Sequence, residues 1–338
     1  MPCLPYFSLF SLKTDRSNLR LKRGRAMIRV YLEPRVVIKW EDFIQTKPRF
    51  SIALDGYVKG PPRFLIRGPY ANFNHHEGVA RIATRSTCAQ VYYYIRLGLL
   101  DTFQKSGRPH ARVYINDVDQ DACLSCWLLK NSGKLEGLRF DNLLVQMILF
   151  EDILDASAGA YPVHPENPQI HRQAWVYEPY TRARADGSIY GMSKKAMQEV
   201  LHAVCDRIDA AIEGRARKIE LDTRYEKIGG GPGWQMIYEE GPYARTKLFS
   251  QKIRAYVALV ESRKDRYAYT IGKMSPFVMF PVERIYDALN KVEGLFSQEN
   301  CWGGSAIIGG SPRKTGSRLR PEEVQKVIND CIRQEKRL

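Results

Sequence analysis

Short runs of β-branched, aromatic and aliphatic residues recur through the first third of the chain, at 28–32, 36–40, 50–55 and 112–116. Bounded by turn residues such as Gly60-Pro61-Pro62 and Gly68-Pro69, runs of this length predict strands. Between and after them the pattern lengthens. Residues 87–100 predict a helix, and Ala122–Lys130 is apolar and helix-compatible. Leu143–Phe150 is an apolar run of buried character, followed by Glu151-Asp152-Ile153-Leu154-Asp155. Residues 157–191, rich in Pro, Gly, Tyr and polar groups, predict a long ordered loop or linker. Ser193 is placed to cap a helix reaching Ile212, with Gly214 as its stop. Its apolar positions, from Ala196 and Met197 to Ile208 and Ala211, recur at the helical period.

Beyond Arg217 the pattern starts again. Gly229–Gly233 marks a turn, and 234–238, 253–260 and 267–271 predict strands. Pro281–Val292 predicts a helix with Pro at its first position and Gly294 after its end. Trp302–Arg313 is a glycine-rich strand–turn segment. Pro321 opens a last helix, whose Glu322 and Glu323 suit its first turn. The expected fold is therefore α/β: a mainly parallel sheet over 27–190, a linker helix over 191–214 and a second, smaller α/β domain over 215–338. Residues 1–26 lack periodicity and read as a basic disordered tail, so that Met27 is a candidate natural start.

Composition narrows the class. With 338 residues, 44% hydrophobic and 11% aromatic, the chain can bury a large core and is not disordered. No apolar run reaches the roughly 18 residues of a membrane helix. Seven cysteines without paired spacing predict a reduced, cytoplasmic protein. Cys123 and Cys126 form a CxxC, but no second pair completes a zinc site. The formal net charge is +15, of which Lys13, Arg16, Arg20, Lys22, Arg23 and Arg25 against Asp15 supply +5. A basic surface draws polyanions, so a nucleotide or short nucleic acid is the expected partner, and no membrane is. A homodimer is compatible with the composition.

The chemistry concentrates where the 112–116 strand ends. Asp117, Asp119 and Asp121 alternate there, just before the Ala122–Lys130 helix. Acids at such a handover lie at the carboxyl end of a sheet, where open α/β folds place ligands. Asn74-His75-His76, about forty residues upstream, supplies the imidazoles. Carboxylates with imidazole favour Mn²⁺ over Mg²⁺. The acids are not a calcium loop, because Ala122 replaces the turn glycine and Leu128 the bidentate Glu. Three other readings stay open: a solvated acidic turn, a structural His-His pair, and an aspartyl-phosphate site with Asp117 as nucleophile and Asp119 as acid.

Asp117-Val-Asp-Gln-Asp-Ala-Cys-Leu-Ser125 resembles the Asp-x-Asp-x-Asp-Gly-x-x-Ser signature of the DHH phosphoesterases. Asn74-His-His, with Ser86-Thr-Cys-Ala-Gln-Val91 behind it, resembles their Asp-His-His motif and the helix start that follows. Gly303-Gly-Ser and Gly309-Gly-Ser-Pro-Arg313 are weakly similar to their companion substrate-binding domain. The chain departs from the pattern in three ways. Asn74 replaces an aspartate, the two motifs come in reversed order, and no His follows His202. The resemblance implies a two-metal phosphoesterase using Mn²⁺ or Mg²⁺, acting on a nucleotide or short oligonucleotide by activated water. His75, Asp117, Asp119 and Asp121 would hold metal, with Asp55 and Asp155 added by position. His76 and Asn74 would be catalytic, and Arg313, Lys314, Ser311 and Ser305 would bind substrate. The rival is a decayed site that binds nucleotide or nucleic acid without turnover.

Overall fold

The computed structural model describes residues 27–135, 141–263, 265–296 and 300–335. The tail expected over 1–26 lies outside them. The chain forms, in order, β1 (Met27–Leu32), α1 (Trp40–Thr46), β2 (Ser51–Leu54), β3 (Arg63–Leu65) and β4 (Tyr70–Phe73). Next come α2 (Thr87–Arg96), α3 (Leu99–Thr102), β5 (Gln104–Lys105), β6 (Arg108–Ile115), α4 (Gln120–Lys130) and α5 (Ser132–Leu135). Three long helices follow: α6 (Asn142–Ala156), α7 (Pro168–Ala185) and α8 (Lys194–Ile212).

These elements build one sheet in the order β1-β6-β2-β4-β3, with β5 folded back on β6. β1, β6, β2 and β4 are all parallel, in the registers Arg29↔Arg112, Ser51↔Arg112 and Ser51↔Tyr70. Only the edge strand β3 and the short β5 run antiparallel. β2 and β4 are buried on both faces, as parallel strands in α/β folds are. One face of the sheet is covered by a large core that includes Val113, Val91, Trp127, Met147, Val176 and Val204. The other carries a smaller aromatic cluster of Phe43, Tyr57, Tyr70 and Tyr114, under α1.

The C-terminal part contains β7 (Tyr225–Gly231), β8 (Trp234–Glu239), α9 (Ala244–Ser250), β9 (Ala255–Arg263), β10 (Arg266–Lys273), α10 (Val282–Glu293), β11 (Gly303–Gly304), β12 (Ile308–Gly310) and α11 (Pro321–Glu335). Its sheet runs β11-β12-β10-β9-β8-β7, antiparallel except at β8–β9. It has its own core, where Met236, Val257 and Ile271 meet Ile285, Leu289, Val324 and Ile328. The opposite face packs on Ala160 through Ile237, Leu248, Phe249, Tyr256 and Ala258.

Several expectations change. Residues 36–40 are not a strand: Ile38 makes a single bridge to Val58 and the chain turns into α1. The helix expected over 87–100 is split at Gly98, whose φ of 104° is left-handed. Most of the expected linker 157–191 is α7, capped by Asn167 through the Gln169 amide at 2.8 Å, with Pro168 in its first turn. It buries His171, Gln173 and Tyr177 along with Ile170 and Val176, so its inward face is not purely apolar. Tyr70–Phe73 forms a strand where none was expected. The 229–233 turn is narrower than expected: Gly229–Gly231 pair with Trp234–Met236, leaving only Pro232 and Gly233 at the bend.

Candidate metal centre

Three adjacent parallel strands end at one edge, and each hands over to a polar segment. After β2 comes Asp55, after β4 Asn74-His75-His76, and after β6 the acids Asp117, Asp119 and Asp121. Asp55 is held in the left-handed region, φ 49°, and Gly56 follows at φ 79°. This turn aims the carboxylate along the sheet edge instead of out to solvent.

Asn74 organises the next segment. Its Oδ1 accepts from the His75 and His76 amides at 2.8 and 3.1 Å. Its Nδ2 donates to the carbonyls of Val58 and Gly60 at 3.4 and 2.8 Å. Its whole polar capacity is spent on backbone, and it offers no atom to the acids.

His75 is fully buried. Its Nε2 lies 2.6 Å from Asp155 Oδ2, 3.6 Å from Asp121 Oδ2 and 3.7 Å from Asp55 Oδ1. Yet neither ring nitrogen, nor Asp155 Oδ2, has a hydrogen-bond partner of good geometry, so the close Nε2–Oδ2 approach is an ion-pair contact only. Buried polar atoms seldom go unpaired. Two of them, His75 Nε2 and Asp155 Oδ2, face each other beside the Asp121 and Asp55 carboxylates. The ligand atoms of His75, Asp121 and Asp155 lie within 4.8 Å of one another, as do those of Asp55, His75 and His76. His75 belongs to both sets. Carboxylate oxygens and imidazole nitrogens at these distances fit a divalent cation, and the orphaned atoms are those that would ligate it.

His76 binds differently. Its Nε2 is 2.7 Å from Asp55 Oδ1, and its Nδ1 is 3.0 Å from an Arg81 guanidinium nitrogen. Arginine only donates, so Nδ1 accepts and Nε2–H donates to Asp55. Burial opposes charge on this imidazole, but Asp55 outweighs it and raises its pKa. The Arg81 guanidinium also donates to Asp155 Oδ1 at 2.7 Å and to the Asp155 carbonyl at 3.0 Å.

The three alternating acids fan out. Asp121 sits at the amino end of α2, where the Thr87 and Cys88 amides donate to its two oxygens at 2.6 and 2.7 Å. Asp119 caps α4 through the Ala122 amide at 2.9 Å and lies within hydrogen-bonding reach of Asp55. Asp117 accepts from the Val118 amide at 2.7 Å and belongs to neither ligand set. α6 contributes a further row of acids. Asp152 accepts from the Ser86 amide at 2.6 Å and from Arg85 at 2.7 Å, and Glu151 is buried against Gln173.

Burial, then neighbouring carboxylates, pushes Asp119, Asp121 and Glu151 well above the usual carboxylate range. Burial raises Asp55 and Asp155 too, but His76 for the first and His75 for the second outweigh it and hold both low. The cluster carries more acid than Arg81, Arg85 and the two imidazoles can balance. Protons on the acids of raised pKa, or an added cation, make up the difference.

The substrate-binding expectations fall elsewhere. Ser311 Oγ accepts from the Tyr269 amide at 3.0 Å, and Ser305 Oγ accepts from the Ile307 and Ile308 amides at 3.3 and 3.1 Å, so both hydroxyls order turns. Arg313 is exposed, and the Lys314 amide donates to Asn300 at 3.1 Å. No hydrogen bond or ion pair among the described residues joins Ser305, Ser311 or Arg313 to the acid cluster. Arg81, Thr87, Glu151 and Asp152 were not anticipated. Thr87 donates to Asp55 at 3.1 Å from the first turn of α2. The α6 acids had a readable signal: Leu144, Met147, Ile148, Glu151, Asp152 and Asp155 continue one stripe at helical spacing.

No protein-family model matches the chain, and no curated protein matches it. No described helix is long and apolar enough to cross a membrane.

Proposed function

We propose that the chain is a divalent-metal-dependent phosphoesterase acting on a nucleotide or short oligonucleotide, with Mn²⁺ as the favoured ion. The observation that carries this reading is the buried His75 Nε2, which forms no well-aligned hydrogen bond yet is faced by Asp155, Asp121 and Asp55 within 3.7 Å. His75, Asp55, Asp121 and Asp155 would hold the metal, with Asp119, within hydrogen-bonding reach of Asp55, beside them. Bound there, the cation supplies Lewis acidity and a water of lowered pKa. His76, tethered by Asp55 and Arg81, is positioned to hold or pass a proton at Nε2. Arg81 fixes His76 and Asp155 together, and Thr87 fixes Asp55. The resemblance to the DHH phosphoesterases over residues 74–125 supports the reaction class.

The test is hydrolysis of a small phosphodiester and of a nucleotide panel in Mn²⁺ and in EDTA. Turnover should need the metal, and His75→Ala and Asp119→Asn should each lower it at least about a hundredfold. Full activity in both variants overturns the assignment. Asn74 favours the rival reading, a site that binds without turnover, because its amide adds no charge or ligand to the centre. Tight Mn²⁺ and nucleotide binding with no turnover of any substrate would decide for that rival.

A further inference from the structure

The first sheet carries a second concentration of charge, positive, away from the acid cluster. α1 has only seven residues and packs through Phe43 on Tyr57, Tyr70 and Tyr114. Arg112 and His110 alternate with Tyr114 along β6 and so share its face, with Arg29 beside Arg112 in register. No ring from α1 reaches them: Arg29 is exposed, and Arg112 and His110 are half-exposed. Next to them a cleft of about 750 Å³ opens, lined by Arg49, Phe50, Ile66 and Arg67 on one side and Thr102 and Gln104 on the other. Asp101 is its one acidic lining residue. Beyond Gln104 the β5–β6 hairpin sets Lys105 opposite Arg108.

We propose that this open basic face docks a single-stranded nucleic acid, at the opposite end of the sheet from the metal centre. Four observations favour that occupant. First, Arg29, Arg49, Arg67, Lys105, Arg108 and Arg112 make no ion pair among the described residues. Second, Arg29 with Arg112 and Lys105 with Arg108 are like charges on neighbouring strands, an arrangement that costs stability unless an anion lies across it. Third, Arg108 and Arg112 share one face of β6 about 13 Å apart, with the His110 imidazole, whose pKa burial and the neighbouring cations lower, standing between them as a ring. Fourth, rings stand among the cations. Phe50 is held at a left-handed φ of 67° by bonds from its amide to the Pro69 carbonyl and from the Arg112 amide to its own carbonyl, both 2.8 Å. Its ring meets His110 edge-on at 5.3 Å. Cations tracking a backbone with rings that stack on bases are how single strands are held without sequence preference. An open sheet face also fits a single strand better than a duplex, whose major groove receives a helix or a two-stranded ribbon.

The test is fluorescence anisotropy with a labelled oligonucleotide of ~15 nucleotides, in EDTA, across a salt series. The native chain should bind, and the Arg49→Ala/Arg112→Ala double variant should weaken binding at least tenfold near 0.1 M salt. Losing two phosphate contacts should also flatten the log–log salt slope by about 1.4. Lys105→Ala/Arg108→Ala, on the exposed hairpin, serves if the first variant does not fold. Arg333→Ala, which removes an exposed cation of α11 outside both the basic face and the metal centre, should bind as the native chain does. The proposal is overturned if the native chain does not bind, if the folded variants bind undiminished, if a duplex of equal length binds as tightly, or if Arg333→Ala weakens binding as much as the basic-face variants do. Mn²⁺-dependent turnover of a small diester is measured separately, so this reading and the phosphoesterase reading fail independently.

Discussion

At the residue scale, Asn74 is the position where the chain departs from the Asp-His-His pattern, and its surroundings account for the amide. Two backbone carbonyls, those of Val58 and Gly60, need a donor there, and two backbone amides need an acceptor. Only an amide side chain satisfies all four. Asn74→Asp would set a carboxylate oxygen against the Gly60 carbonyl, now 2.8 Å from the amide nitrogen. The expected outcome is a loss of about 1–3 kcal/mol in urea unfolding without tighter Mn²⁺ binding. A stable variant with higher metal affinity would show that the side chain can turn towards the acids. Glu33 is a second informative residue, remote from the centre. Burial raises its pKa, but Lys47 at 2.8 Å and the Tyr57 hydroxyl outweigh this and hold it below the ordinary value. A lowered carboxylate stabilises the fold above its unfolded pKa and loses that contribution as pH falls through the folded one. Glu33→Gln should therefore cost up to about 1 kcal/mol at pH 7, a solvent-screened figure, and the difference should shrink below about pH 4. Equal cost at both pH values would mean that packing, not charge, is lost.

At the element scale, the break between α2 and α3 rests on one residue. Gly98 has φ 104°, and a Cβ there would stand 3.0 Å from Asp101 Oδ2. Gly98→Ala should cost about 1–2 kcal/mol in thermal or urea unfolding, from left-handed strain alone; an unchanged stability would mean that the two helices can run on as one. This element also shows what the sequence could and could not disclose. The helical period of residues 87–100 was plain, but a glycine inside a periodic run does not announce its φ. The strands leading to Asp55 and Asp117 were legible because β-branched residues precede clustered acids, and that placed most of the centre at one sheet edge. α7 was not legible. Its buried face includes His171, Gln173 and Tyr177, so the apolar stripe that identifies a helix is interrupted by residues counted as surface. Glu151 and Asp152 were hidden for the opposite reason: the apolar run ended at Phe150, although both acids extend its buried helical stripe towards Asp155. Arg81 had no local signal, since its partners Asp155 and His76 come from other segments.

At the scale of the whole molecule, a chain of net charge +15 concentrates acids in one buried centre and cations on an open sheet face. The buried acids are a cost to the folded state, because carboxylates forced together out of water must take up protons or a cation. Burial raises the pKa of Asp119, Asp121 and Glu151, and a cation held by the assembled cluster binds to the folded state and not to the unfolded one. Such a ligand stabilises by mass action, about 2.7 kcal/mol at a free concentration a hundred times its Kd. Saturating Mn²⁺ should therefore raise the unfolding temperature by several degrees over the EDTA-treated protein, reversibly, and Mg²⁺ should do so less. His75→Ala, which removes the one side chain common to both ligand sets, should abolish most of the shift. Arg49→Ala/Arg112→Ala, on the basic face, should leave it unchanged. A native chain whose melting is indifferent to Mn²⁺, or a His75→Ala variant that retains the full shift, would place the stabilising cation elsewhere and leave the acid cluster to be balanced by protons alone.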